Sequence, residues 1–101
     1  MRHLPIFLKL SDKPAVVVGG GVVAARRTEV LIKAGARVTT FATSLSDDFR
    51  GLLDEPNFRH EARNPEPGDF EGSALCFVAT EDERLSADAR AAAKAAGALV
   101  N

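Results

Sequence analysis

The sequence has a single cysteine, Cys76. No intramolecular disulfide can form, and the chain reads as a protein of a reducing compartment, with the cytoplasm the simplest assignment. An excess of either charge is missing as well: thirteen basic residues stand against fourteen acidic ones, a formal net charge of −1. No whole-molecule field draws such a chain to nucleic acid or to an anionic membrane surface, so any recognition must be local. No apolar run approaches the roughly 20 residues that cross a bilayer, and the opening "MRHLPIFLKL" lacks the long apolar segment and small-residue cleavage site of a signal peptide. Repeats, low-complexity tracts and linkers are also absent. The 101 residues therefore suit one compact domain, residues 1–101, with a modest core.

What is present alternates between two periods. "PIFLKL", Pro5 to Leu10, has weak strand alternation, and "SDKP" then turns the chain. "AVVV", Ala15 to Val18, is apolar on both faces, as expected for the central strand of a parallel sheet covered on both sides. From Val22 to Ala34 a helix is expected, with Val23, Val30, Leu31 and Ala34 on its inner side, Glu29 and Lys33 paired outside, and Gly35 ending it. "RVTTFA" reads as a second strand. Leu45, Phe49, Leu52 and Leu53 then fall at helical spacing, with Ser44 and Asp47 resembling a cap and Pro56 closing the segment.

"NFRHEARN" alternates like a strand with one wet face, and "PEPGDFEGS" reads as loop. "ALCFVAT" reads as a strand buried on both faces, and a helix from Glu83 follows with a small-sided face of Leu85, Ala89, Ala92, Ala93 and Ala96, ended by Gly97. "ALVN" looks like the first residues of a further strand. This order predicts an α/β domain with a mostly parallel sheet, half to two-thirds of a doubly wound fold.

Three consecutive glycines separate the first buried strand from its helix. Gly19, Gly21 and Ala24 occupy the fixed positions of G-x-G-x-x-G/A, after a strand and opening a helix, which is the context that makes the pattern informative. The first glycine permits a tight turn, the second removes the Cβ that would keep a diphosphate from the backbone, and Ala24 allows close helix packing. Free N–H groups at the helix start then favour anionic groups. One part of the pattern is missing: about 20 residues on, where an acidic side chain usually holds the ribose, the chain reads "TTFATS". Thr43 and Ser44 offer hydroxyls instead, Ser44 serving equally well as a helix cap, and this segment leaves NAD and NADP undistinguished.

"HLPIFLKL", "VVVGGGVVAARR", "GARVT", "VATEDE" and the closing "N" together resemble, in order and spacing, the amino-terminal domain of sirohaem synthase and the stand-alone precorrin-2 dehydrogenases. The resemblance covers essentially the whole chain. It implies a Rossmann-like domain, truncated at its carboxyl-terminal end, that binds NAD in an enzyme oxidising the tetrapyrrole precorrin-2 to sirohydrochlorin. Many members also insert ferrous iron, and a homodimer is implied for the full-length protein. Val22 and Val23, with Thr43 and Ser44, match positions that contact NAD in the family, and Thr80 is expected on the crevice side of its strand. Val22 stands where the family often has a polar or acidic residue. The family's catalytic aspartate lies a few residues beyond the position matching Asn101, so no catalytic residue is assigned and the chain reads as the cofactor-binding portion of a larger enzyme. A non-catalytic NAD(H)-sensing module is the alternative, and a structural domain that has lost its nucleotide is a third.

Other chemistry-bearing residues read more simply as structure. His3 and His60 are far apart and lack further ligands at metal spacing, so no metal site is expected. Cys76 sits mid-strand and reads as a core thiol. The acids of "TEDE" suit caps and dipole partners better than a cation site. Arg26 and Arg27 suit a carboxylate-rich substrate, while Arg27 suits packing along the helix equally well.

Overall fold

The computed structural model describes residues 9–101. Among these residues five strands form one sheet: β1 (Pro14–Val18), β2 (Arg37–Phe41), β3 (Phe58–Glu61), β4 (Leu75–Val78) and β5 (Leu99–Val100), in the order β3-β2-β1-β4-β5. Every pairing is parallel. The most apolar strand, β1, is the centre. Its alternation feeds two cores: Ala15 and Val17 pack with Ala24, Ala25 and Leu31, while Val16 and Val18 pack with Ala89, Ala93 and Phe70. Helix α1 (Val22–Lys33) thus covers one face and α2 (Glu83–Ala95) the other. This follows from right-handed crossovers that leave the central pair in opposite directions.

Both helices end where glycine predicts. Gly35 has φ +90° and Gly97 φ +86°. In each case the glycine amide and the next one fold back onto carbonyls of the last turn: Gly35 and Ala36 onto Ile32 and Leu31, Gly97 and Ala98 onto Lys94 and Ala93. The outer Glu29–Lys33 pair also forms, at 3.7 Å.

Three expectations change. The inner side of α1 is Ala24, Ala25, Thr28 and Leu31, whereas Ala34 is exposed and Val23 and Val30 stand 51% and 58% exposed. Small side chains let the helix axis approach the sheet, and Thr28 seats its hydroxyl 3.2 Å from that of Thr40 on β2, both wholly buried. The larger valines are left outside. The helix expected from Leu45 is a six-residue 3₁₀ segment, Asp47–Leu52, that buries Phe49 and Leu52. Gly51 inside it and Pro56 after it leave no room for further α-turns. The segment expected to be loop contains a second short 3₁₀ turn, Pro67–Phe70, which drives Phe70 into the α2 core. The edge strand expected over Pro5–Leu10 lies almost wholly outside the described residues, and Lys9 and Leu10 are not in a strand. Among the described residues no helix is long and apolar enough to cross a membrane.

Candidate functional site

Register brings three loops to one edge. Val18 lies level with Phe41 on one side and with Val78 on the other, so Gly19, Ala42 and Ala79 leave the sheet together. The connections of β1 and β4 then run to opposite faces, which opens a crevice at the carboxyl ends of the strands, where doubly wound sheets take ligands. A cleft of about 550 Å³ lies there. Gly19, Gly21, Thr43, Ser44 and Thr80 all border it. Val22 and Val23 differ: their side chains are exposed and they do not border the cleft, so what they can offer a ligand there is a first-turn amide.

The three glycines have three distinct jobs. Gly19 has φ +132°, and a Cβ there would stand 2.8 Å from the Ala79 carbonyl oxygen, so the chain passes β4 too closely for a side chain. A Cβ on Gly20 would run into the Ser44 carbonyl oxygen and fall 2.9 Å from the Ala42 Cβ. The loop after β2 closes directly over this glycine, and the Ser46 amide donates to the Gly20 carbonyl at 2.8 Å. At Gly21 a Cβ would meet no atom of the described residues within 4 Å. Gly21 also borders the cleft, so its missing side chain leaves open space at the cleft's edge.

Gly21 is the N-cap of α1 and supplies no side-chain hydrogen bond, nor is there an acid in the first turn. The Gly19 amide is used by the Phe41 carbonyl at 3.0 Å. Among the described residues the amides of Gly20, Gly21, Val22, Val23 and Ala24 have no acceptor, the last four being the positions a helix leaves unpaired. A side-chain-free hollow with several free donors at a helix's positive end fits a diphosphate. A dinucleotide fits the residues present.

On the β2 side, Thr43 and Ser44 are exposed. Ser44 does not cap the following segment: its N-cap is Ser46, whose hydroxyl donates to Asp48 Oδ2 at 2.9 Å. Two extra residues are needed to carry the chain over Gly20, which moves the turn onward and leaves the Ser44 hydroxyl without a partner among the described residues. Asn64 also borders the cleft. Its loop is tied down by Arg63, which donates to both Asp69 oxygens at 2.8 and 2.9 Å and lies 5.1 Å above the Phe41 ring. The Arg63 hydrogen bonds hold the Asp69 carboxyl below its ordinary range. On the β4 side, Thr80 Oγ1 accepts from the Asp82 amide at 3.2 Å, and Asp82 caps α2 by accepting from the Leu85 amide at 3.0 Å.

Gly20, Asn64 and Ser46 were not singled out by the residue pattern. Gly20 had a signal, since the motif leaves its middle position free and a third glycine there asks for a separate reason. Asn64 and Ser46 had none. Cys76 is wholly buried and burial pushes its thiol up to about 11, so it is not a nucleophile at neutral pH. Arg27 lays its guanidinium 4.7 Å over the Phe77 ring, the packing alternative. Among the described residues no three His, Cys, Asp or Glu side chains are grouped to hold a metal ion; His3 lies outside those residues.

Comparison with known proteins agrees with this geometry. A family model described as "Putative NAD(P)-binding" matches residues 6–101. The chain is similar over all 101 residues to the sirohaem synthases of Methylobacillus flagellatus (40% identity, 22% of that protein) and Methylococcus capsulatus (42%, 21% of that protein). It thus spans about a fifth of the curated relatives it matches. Its fold is similar to that of SirC, a precorrin-2 dehydrogenase, with a TM-score of 0.86 and 25% identity over 98% of this chain and 50% of that one.

Proposed function

We propose, from the premise that this chain belongs to the NAD(P)-binding family whose model spans residues 6–101, that it is the NAD-holding domain of a precorrin-2 dehydrogenase within a sirohaem synthase. The observation that carries this reading is the side-chain-free Gly21 at the cleft's edge, next to first-turn amides of α1 that have no acceptor among the described residues. NAD, when bound, supplies a hydride acceptor. The chain's share is to hold and orient.

In this reading Gly19 shapes the turn and Gly21 admits the diphosphate, to which the amides of Val22 and Val23 donate. The hydroxyls of Thr43 and Ser44 receive the ribose, and Thr80 bounds the cleft on the β4 side. The substrate is a carboxylate-rich tetrapyrrole, the longer protein is a homodimer, and its compartment is the cytoplasm, where the lone thiol of Cys76 stays reduced. Ferrous insertion is assigned to none of the described residues. Residues 1–101 act as one dinucleotide-binding domain.

Calorimetric titration of the chain tests the binding step: saturable binding of NAD is expected, with no turnover by the chain alone. Reduction of NAD by the longer protein in the presence of precorrin-2 tests the activity. NAD binding without that reduction would favour the sensing module.

A further inference from the structure

The ladder between β2 and β3 stops one rung early, and a side chain takes the place of the missing rung. In a parallel pair every second residue of a strand donates to the residue before its neighbour and accepts from the one after it. Val38 and Ala42 donate to the Asn57 and Glu61 carbonyls at 2.8 and 3.1 Å, so the next donor, to the Ala42 carbonyl, is due from the Arg63 amide. That amide turns back instead and donates to the Glu61 carbonyl at 2.9 Å. The Ala42 carbonyl would be left without its rung at the point where β2 becomes the loop over Gly20. His60, half-buried on β3, brings its Nε2 to 2.8 Å from that oxygen. A carbonyl only accepts, so Nε2 carries the proton.

We infer that His60 is a positioning residue of the nucleotide cleft, its Nε2–H replacing the absent ladder rung at Ala42 and thereby setting the pose of Thr43 and Ser44. The inference rests on the dinucleotide reading of the cleft. Its mechanical basis is local. The Ala42 Cβ is one of the groups crowding Gly20, and the Ser44 carbonyl is the other. Past Ala42 the loop is next held by the Ser46 amide on the Gly20 carbonyl. Between these anchors lie the two residues whose hydroxyls border the cleft. Release of the Ala42 carbonyl would let Thr43 and Ser44 move while leaving the glycine turn and the start of α1 in place.

His60→Phe keeps the ring's bulk and removes the donor, and His60→Gln restores a donor at the ε position. With NAD titrated into each, His60→Phe is expected to bind about fivefold more weakly and His60→Gln to recover to within about twofold of the parent. Without nucleotide, amide hydrogen exchange at Thr43 to Ser46 should quicken in His60→Phe and return in His60→Gln. A merely structural role would lower Tm without this pattern of rescue. On the parent protein, nitrogen NMR of the neutral ring should show the proton on Nε2, a readout that needs no variant to fold.

A neutral ring protonated at Nδ1 would overturn the inference. So would His60→Phe binding NAD as the parent does with unchanged loop exchange, or His60→Gln failing as far as His60→Phe. A parent chain that binds no dinucleotide would overturn the reading of the cleft and this inference with it, whereas equal binding by parent and variants would remove the inference alone.

Discussion

Two helices begin at the same cleft, and their first turns are built in opposite ways. Helix α1 starts from Gly21, with no side-chain cap and no acid in its first turn. Helix α2 starts from Asp82, whose carboxylate accepts from the Leu85 amide, and Glu83 follows in the first turn. Their other ends match, each closed by a glycine in the left-handed region whose amide folds back onto the last turn. Helix-building alone therefore does not account for the contrast. The positive end of α2 is already neutralised by its own carboxylates, while that of α1 is left to whatever anion enters the cleft. Of two similar helices at one crevice, α1 is the one whose first-turn amides have no acceptor among the described residues, and it is the end to which the proposed reading assigns the diphosphate.

The glycines allow this comparison to be broken in stages. The largest effect is expected from Gly20→Ala. Its new Cβ meets the Ser44 carbonyl and Ala42, so the loop must shift, at a cost of about 3 kcal/mol or more. Thermal unfolding should fall by about 10 °C or more, with NAD binding lost alongside. Gly21→Ala should separate the two quantities: no atom of the described residues opposes its Cβ, so stability should change by less than about 1 kcal/mol, while NAD affinity falls about tenfold or more because the diphosphate is held off its donors. Loss of stability without loss of affinity would contradict the roles given to these glycines.

A smaller change makes the first turn of α1 resemble that of α2. Val22→Asp adds a carboxylate at the positive helix end, which should stabilise the fold by about 0.5 kcal/mol, and NAD binding should be retained, since the resembling family often carries a polar or acidic residue at this position. Denaturant titration and calorimetry on one preparation read both. The converse, Asp82→Ala, removes the cap of α2 and should destabilise by about 1 kcal/mol, with NAD affinity unchanged or slightly higher because a negative charge has left the cleft.

The smallest effect concerns the Arg63–Asp69 clasp that steadies the Asn64 loop. The Asp69 carboxyl is lowered in the fold by its hydrogen bonds from Arg63. Its stabilising contribution is therefore present above the unfolded carboxylate range and lost as pH falls through the folded value. Acid unfolding curves of the parent and Asp69→Asn should converge at low pH and separate slightly near neutrality; a separation that grows on acidification would exclude the clasp.

Much of this arrangement was readable from the residues because its causes are local. β-branched runs, helical spacing and glycines at chain reversals identified β1, both helices and both helix ends. The glycine turn between β1 and α1 belongs to the same class. The errors share a different cause. Val23 and Val30 were assigned inward by hydrophobicity, yet closeness of approach favoured Ala24, Ala25 and Thr28. Ser44 was a plausible cap until the chain had first to clear Gly20. Phe70 lay in an apparent loop, and its burial depends on α2, more than a dozen residues further on. His60 read as one more residue of an alternating strand, because its partner is a backbone atom of a different strand.

Residue order alone dictates the alternation of strands and helices, the central place of β1 and the side-chain-free turn that follows it, since each depends on the conformational preferences of neighbouring residues. The folded chain settles which amides remain without acceptors, which glycine bears the loop and which side chain completes the sheet. A backbone group's partner is supplied by distant segments, and the crowding around a missing Cβ exists only once those segments have packed.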